Sequence, residues 1–178
     1  MALGGIAYCL FMEPLSPARV EQLLDSASFA HIAVVSGGDP YVSPLSFVRF
    51  EDALYFRCTP GERVEALYAH PRASTSIVVF DDETGAWESV LVRGDVTFIE
   101  DDQTEDAIVV LFLDKYRDYA SDLGSAPRLH TFDDAGIGWI GTAQVPPGEA
   151  VIVKLSMNEV AGRTSGRWMT PGTRPGRL

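Results

Sequence analysis

Cysteine and positive charge are both scarce in this chain of 178 residues. Its two cysteines, Cys9 and Cys58, are too few for a disulfide framework, and their spacing matches no metal-binding motif. Reduced thiols in a cytoplasm are the simplest interpretation. With 14 basic and 25 acidic residues the formal net charge is -11, which opposes nucleic-acid binding because that needs a basic surface. An anionic ligand must therefore be held by a local cluster of positive groups.

Long apolar runs are missing as well, so no membrane-spanning helix is expected. Residues 1–14 are predicted to form an apolar N-terminal extension that starts MALGGIAYCLF. The stretch is apolar enough for a secretion signal, but it lacks the basic start and the small-residue cleavage site. Translation that starts at Met12 would also account for it, and so would packing as an additional strand. We expect a cytoplasmic location in all three cases.

Familiar catalytic and metal-binding signatures are also missing. The chain has no G-x-S-x-G, H-E-x-x-H or C-x-x-C motif and no P-loop or dinucleotide-binding glycine pattern. Its three histidines, His31, His70 and His130, are scattered, and its paired acids fall at predicted turns. We therefore expect no metal site and name no catalytic acid or base.

The residues that are present predict short strands with few helices. Hydrophobic residues make up 46% of the chain and charged residues 22%, as in ordinary folded domains. Ser16-Pro17 is typical of a helix start. The predicted strands are His31–Ser36, Tyr41–Phe50, Ala53–Cys58, Ser74–Phe80, Trp87–Glu100 and Glu149–Met157, and two further helices are predicted at Glu62–Ala69 and Gln103–Tyr119. This pattern favours a mainly β, α+β fold, a small barrel of antiparallel strands with helical decoration.

Two residues inside predicted strands carry structural information. Pro44 cannot donate to a β-ladder, so its strand should be an edge or be bulged near its middle, where an open backbone can receive a ligand. Gly94 suggests a bulge or bend of the kind that closes small barrels.

After Glu159 the chain has four arginines and no acids. We therefore divide the chain into residues 1–14, a barrel domain over 15–160, and a basic tail over 161–178.

One segment combines groups that suit a phosphate. Thr59-Pro60-Gly61-Glu62-Arg63 runs from a strand end through a tight turn into a helix. Backbone N–H groups at a helix start, a hydroxyl and a guanidinium together favour an anion. A plainer interpretation also fits, in which Thr59 caps the helix and Arg63 is solvated on its outer face. From these residues alone, both interpretations stay open.

Several motifs together resemble the FMN-binding split-barrel proteins. This is the pyridoxamine 5'-phosphate oxidase-like family, and the likeness is strongest to its nitroimidazole-resistance branch. The motifs are, in order, YVSPLSFV from Tyr41, LYFRCTPGERVEALYAHPRAS from Leu54, WESVLVRG from Trp87, FLDKY from Phe112, and VIVKLSMNEVAGR from Val151. The family commonly has lysine where Arg63 stands, and arginine keeps the charge.

The resemblance implies a split β-barrel of about six antiparallel strands and a homodimer with FMN between the subunits. The cofactor-binding residues that it implies are Pro44, Leu45, Ser46 and Phe47 at the flavin ring through their backbone, Thr59 and Arg63 at the phosphate, and Trp87 and Ser89 near the ring. It implies an oxidoreductase that takes electrons from a nicotinamide donor and reduces a small molecule such as a nitro compound or a quinone. The alternative is a flavin- or haem-binding protein without turnover, with His70 or His130 as a candidate haem ligand. A deazaflavin in place of FMN, and a dimerisation module without cofactor, also stay open.

Overall fold

The computed structural model describes residues 12–81, 86–122, 138–140, 143–145 and 150–165. Within these ranges the chain forms ten strands and three helices. The strands are β1 (Glu13–Pro14), β2 (Phe29–Ser36), β3 (Asp39–Phe50), β4 (Ala53–Cys58), β5 (Arg72–Phe80), β6 (Trp87–Ile99), β7 (Gly138–Ile140), β8 (Ala143–Val145), β9 (Val151–Ser156) and β10 (Glu159–Thr164). The helices are α1 (Pro17–Ser26), α2 (Glu62–Ala69) and α3 (Asp102–Asp122).

The local signals in the sequence place these elements well. Strand β4 and helix α2 have the predicted bounds, and the other predicted elements differ by a few residues at their ends. The side chain of Ser16 caps α1, because its Oγ accepts a hydrogen bond from the Arg19 N–H at 3.3 Å. Asp101 does the same for α3 through the Thr104 N–H at 2.8 Å. Hydrogen bonding with the Thr104 side chain, followed by this backbone bond, lowers the pKa of the Asp101 carboxyl.

Six antiparallel strands close into a barrel, which confirms the predicted fold. Their order is β6-β5-β2-β3-β4-β9, and β9 pairs back onto β6 to complete the ring. Strands β10 and β1 extend the sheet outside the ring, on the other half of β6. Within the described residues, no helix is both long and apolar enough to cross a membrane.

Strand β6 is where the barrel splits. Residues 88–93 of β6 pair with β10, whereas residues 96–99 pair with β9. Gly94 lies between these two regions, and a Cβ atom there would be 1.7 Å from the carbonyl oxygen of Ser156 in β9. The bend predicted at Gly94 is therefore the point at which β6 changes partner, and it needs a residue without a side chain.

Strand β3 also changes partner, and this explains how it accommodates Pro44. Residues 39–46 pair with β2, and only residues 47–50 pair with β4. Among the described strands, none pairs with residues 39–46 on the side opposite β2. The prediction that Pro44 lies on an open strand edge is confirmed.

Two hydrophobic clusters hold the barrel together. The first fills its interior, where Phe47 and Phe56 are fully buried with ring centroids 6.1 Å apart. Helices α1 and α2 add Leu24 and Leu67 to this cluster. The second cluster lies between α3 and the outer surface of the barrel, and its buried residues are Val48, Ala53, Tyr55, Ile108, Phe112, Tyr116 and Ile152. Helix α3 is therefore attached to the barrel by apolar burial along one of its faces.

The predicted 14/15 division coincides with the end of β1, and the predicted 160/161 division lies inside β10. Strand β1 pairs Glu13 with Thr164 and Pro14 with Arg163, so residues on both sides of the 14/15 and 160/161 divisions belong to one sheet. Strand β10 continues to Thr164 and pairs with β6 along its whole length. Residues 1–11 and 166–178 lie outside the described residues.

One lysine of α3 is buried against the barrel. Lys115 Nζ lies 4.1 Å from the ring centroid of Phe47, and it is buried without a hydrogen-bond partner. Burial lowers the pKa of Lys115 to about 8, and the nearby charge of Asp25 opposes that shift. The ring face of Phe47 offers a cation–π contact, which offsets part of the desolvation of the ammonium.

Replacing Gly94 by alanine should destabilise the fold by about 3 kcal/mol, because the added methyl would overlap a backbone carbonyl that cannot move without breaking the β6–β9 pairing. Gly162→Ala is the comparison variant, because its Cβ would lie 2.5 Å from Val20 Cγ2 and 2.9 Å from Leu15 Cβ, so it should cost less stability than an overlap with a backbone oxygen at 1.7 Å. Urea unfolding of both variants tests this. Equal losses of stability in the two variants would contradict the explanation.

Replacing Lys115 by methionine should raise the free energy of unfolding at pH 7 by about 1–3 kcal/mol, because it removes a poorly solvated charge but keeps the volume. The lowered pKa means that between about pH 8 and 10.5 the folded wild type binds fewer protons than the unfolded chain, so wild-type stability rises with pH there. The difference between the two proteins should shrink over that window. Denaturant unfolding from pH 6.5 to 10 measures it, and a constant difference would refute the role of this charge.

Candidate functional site

The turn between β4 and α2 has the backbone that a phosphate site requires. Strand β4 ends at Cys58, and the chain turns through Thr59, Pro60 and Gly61 into α2. Gly61 has a φ of 149°, which favours glycine, and it is the N-cap residue of α2 without any side-chain capping bond. The helix cap is therefore Gly61 rather than Thr59. No side chain of the described residues occupies the N–H groups at this cap, so they remain suited to an anion.

Arg63 is directed from this turn toward strand β3. Its Nε donates a hydrogen bond to Ser43 Oγ at 3.1 Å, and the residue is half-buried. Its guanidinium also interacts with the thiol of Cys58, which is only 1% exposed. Burial raises the pKa of the Cys58 thiol, and Arg63 opposes this in part. Arg63 is thus held between the turn and the strand, not solvated on the outer face of α2.

The open edge of β3 spans residues 39–46, so Ser43 lies within it. Phe47 uses its N–H and its carbonyl on the side of β2, where both contact the hydroxyl of Tyr116 at 3.0 and 2.9 Å. Successive residues of a strand direct their main-chain N–H and carbonyl groups to opposite sides. The Ser46 N–H and the Pro44 carbonyl therefore face the side away from β2. Pro44 is exposed, and Ser46 is 4% exposed. The edge therefore runs from the surface into the protein, beside the Arg63–Ser43 contact.

Leu45 and Phe47 lie behind this edge. Leu45 is paired with Ala30 of β2 and is 7% exposed, and Phe47 is fully buried. Thr59 is half-buried at the start of the turn. The structure thus brings together the predicted residues of β3 with the predicted phosphate turn, through the contact between Ser43 and Arg63.

Trp87 and Ser89 lie elsewhere in the same subunit. Both are half-buried in β6, opposite Phe80 and Val78 of β5. Strand β6 is three strand spacings from β3 in the order β3-β2-β5-β6, which is about 15 Å along the sheet. Within one copy of the chain, Trp87 and Ser89 are therefore separated from the open edge of β3 by two intervening strands.

An apolar patch covers the outer face of the sheet between these two groups of residues. Directly paired residues share a face, so Phe29 is on the same face as Ser46, and Val78 and Phe80 are on the face of Ser89 and Trp87. We call four exposed apolar side chains of this face the outer-face patch, and they are Phe29, Val42, Val78 and Phe80, exposed to 41, 59, 57 and 56%. Val35 of β2, exposed to 48%, lies on the same face. Exposed apolar side chains gathered on one face are a feature of interaction surfaces.

Sequence reasoning missed two residues near the site. Ser43 stands inside the YVSPLSFV motif, but only the structure shows that it binds Arg63, twenty residues away. Tyr116 ends the FLDKY motif, which gave no indication that its hydroxyl contacts the backbone of Phe47.

The histidines and the other cavities do not form a competing site. Among the described residues, no group of three His, Cys, Asp or Glu side chains could hold a metal ion. His31 and His70 are exposed, and His130 lies outside the described residues. A groove of about 420 Å³ between α1 and β10 is lined by none of the predicted site residues.

Several solved structures share this fold. A FAD-binding protein from Mesorhizobium loti is 21% identical, with a TM-score of 0.65, and the match covers 87% of this chain and 99% of that one. A putative 5-nitroimidazole antibiotic resistance protein from Bacteroides thetaiotaomicron is 18% identical, with a TM-score of 0.62 and coverage of 86% and 89%. A FAD and haem binding protein from Mycobacterium smegmatis is 18% identical, with a TM-score of 0.62 and coverage of 89% and 75%. At these identities the likeness shows the fold.

Sequence comparison identifies the family. An uncharacterised protein from Rhizobium meliloti (strain 1021) is 24% identical over 85 residues, which are 48% of this chain and 56% of that protein. The chain thus matches little more than half the length of this curated relative. The sequence model of the family described as pyridoxamine 5'-phosphate oxidase matches residues 16–132, more than half of the 178 residues. The closed six-strand barrel agrees with that match, and the chain belongs to the pyridoxamine 5'-phosphate oxidase family.

Proposed function

We propose that this protein binds FMN between two copies of the chain and reduces a small molecule, such as a nitro compound or a quinone, with electrons from a nicotinamide donor. The hydrogen bond between Arg63 and Ser43 carries the proposal. It joins the residues that suit a phosphate to the strand edge that suits a flat ring. A cytoplasmic location is part of the same proposal.

The phosphate end of the cofactor fits the turn between β4 and α2. In a chain with a net charge of -11, a dianion needs a cationic group close to it. Arg63 supplies that charge, and the N–H groups at the Gly61 cap and the hydroxyls of Thr59 and Ser43 supply further donors. Guanidinium and backbone donors of this kind are the usual partners of phosphate oxygens.

The ring of the cofactor fits the open edge of β3. The Ser46 N–H and the Pro44 carbonyl face the unpaired side of the strand, so this donor and this acceptor can bind a planar heterocycle. Leu45 and Phe47 hold the edge from behind through β2, Tyr116 and the barrel interior. The side chains of the strand thus fix the position of the backbone groups that would contact the ring.

When bound, FMN supplies the hydride and electron transfer. The chain's own residues bind the cofactor, orient it, and keep water from part of it, because the edge ends at the buried Ser46. We assign no proton donor, so the substrate proton comes from solvent or from the substrate's own groups in this proposal.

The second copy of the chain would complete the site. The outer-face patch is apolar and exposed, and a second copy offers an equal patch to cover it. Trp87 and Ser89 lie on that face but about 15 Å from β3 in the same chain. In a homodimer, the Trp87 and Ser89 of one subunit would approach the flavin held by Arg63 of the other.

The solved relatives support a flavin and also favour a second candidate. The Mesorhizobium loti protein is described as FAD-binding, and the Mycobacterium smegmatis protein as FAD and haem binding. A non-catalytic carrier of flavin or haem on the same scaffold is therefore the second candidate, with the exposed His70 as a candidate haem ligand.

Spectroscopy of the purified protein separates the two candidates. Titration with FMN, FAD, riboflavin and haemin shows which chromophore binds, and the FMN-loaded protein is then mixed anaerobically with NADH or NADPH. Bleaching by the nicotinamide and reoxidation by a nitro compound or a quinone support the reductase. Flavin that stays oxidised supports the carrier, a strong Soret band supports haem, and the absence of any bound chromophore refutes both.

Replacing Arg63 by alanine should weaken FMN binding by about 10- to 100-fold, because one charge-assisted contact to phosphate is lost. Riboflavin, which has no phosphate, should bind the variant and the wild type alike. Arg72→Ala is the matched control, since it removes the same charge from an exposed residue whose partner is Asp95 at 3.5 Å. Fluorescence titration of the flavin measures all three proteins, and equal affinities for FMN would contradict the phosphate assignment.

Replacing Val78 by aspartate should dissociate the proposed homodimer, because each subunit would bury a charge in the outer-face patch. Light scattering after gel filtration should show monomers, and FMN affinity should fall with them. Val110→Asp is the control, because Val110 is exposed to a similar degree, 61%, on the separate helix α3. A dimer that persists in Val78→Asp would show that this face is not the interface.

A further inference from the structure

Strand β3 lacks a neighbour on one side of Phe47. Its pairing with β2 ends at the pair formed by Ser46 and Phe29, the first residue of β2. Phe47 comes one residue later, fully buried, with an N–H and a carbonyl still directed toward the β2 side. Without partners these two buried polar groups would destabilise the strand at this point.

The hydroxyl of Tyr116 takes the place of the missing strand. It accepts a hydrogen bond from the Phe47 N–H at 3.0 Å, and it lies 2.9 Å from the carbonyl oxygen of Phe47 and 2.5 Å from that of Ser28. One hydroxyl proton serves these two carbonyls, and the oxygen serves the N–H. Tyr116 therefore links the peptide of Phe47 to the residue before β2, as another β-strand residue would.

Packing keeps the Tyr116 ring in this position. The residue is 6% exposed, and its ring is stacked on that of Phe112 with centroids 6.0 Å apart. Both residues belong to the cluster that attaches α3 to the barrel. The hydroxyl thus has little freedom to leave the Phe47 peptide.

We propose that Tyr116 is a positioning residue for the flavin, which acts by fixing the peptide of Phe47 and thereby the direction of the Ser46 N–H toward the open edge. This inference rests on the proposed FMN site. The Phe47 N–H belongs to the peptide between Ser46 and Phe47, and the Ser46 N–H belongs to the peptide before it. A rotation of the first peptide would also turn the second, because adjacent peptide planes share the Cα atom between them. Tyr116 itself stays on the other side of the strand and does not contact the ring.

The test compares Tyr116→Phe with Ile108→Ala in the full chain. Tyr116→Phe removes only the hydroxyl, so the Phe47 N–H loses its partner and the Ser46 peptide loses its fixed direction. We expect about tenfold weaker binding of FMN, a shifted flavin absorption band and a changed flavin potential. Ile108→Ala loosens the packing of the same helix on the barrel but keeps the hydroxyl and the stacked Phe112 ring, so it should lower the thermal unfolding midpoint at least as much and leave the flavin spectrum and potential unchanged.

Hydrogen exchange of the cofactor-free protein keeps this inference separate from the proposed function. The Phe47 amide should exchange at least about tenfold faster in Tyr116→Phe than in Ile108→Ala, whether or not FMN binds. If the wild type binds no FMN, the proposed function is refuted, and with it the flavin role of Tyr116, even if the amide responds as expected. Unchanged exchange, or a flavin in Tyr116→Phe that matches the one in Ile108→Ala, overturns the positioning role while FMN binding by the wild type still stands.

Discussion

The close approach of β6 to β9 at Gly94 is the constraint on which the rest of the structure depends. A residue with a side chain there would overlap the Ser156 carbonyl, and the ring of six strands could not close. Closure fixes the barrel interior in which Phe47 and Phe56 pack. That interior in turn fixes β3, in which residues 39–46 pair with β2 alone and keep an open edge, whereas residues 47–50 pair with β4.

Local sequence signals were enough for the elements and for part of the site. The bounds of β4 and α2 follow from an apolar and aromatic run, a turn and an apolar repeat, all within a few residues of one another. Pro44 on an open edge and Gly94 at a bend follow from the backbone chemistry of single residues. Arg63 and Thr59 stay predicted phosphate ligands, and they were selected because five consecutive residues carry the whole pattern.

Contacts between distant residues were not accessible in the same way. Tyr116 and Phe47 are 69 residues apart, and the FLDKY motif does not predict against which strand its helix packs. The same holds for Lys115 above the Phe47 ring and for the separation of Trp87 and Ser89 from β3. Those positions depend on strand order and register, which tertiary packing decides and which short motifs do not encode.

The open edge of β3 presents main-chain groups, which every amino acid possesses apart from the N–H that proline lacks. Side chains along such an edge can change through evolution while its hydrogen-bonding surface stays constant. Chains that share only 18% or 21% identity with this one have the same fold, and such an edge could persist among them without shared side chains. What selection must preserve is the shape of the strand, and a search for invariant side chains would overlook it.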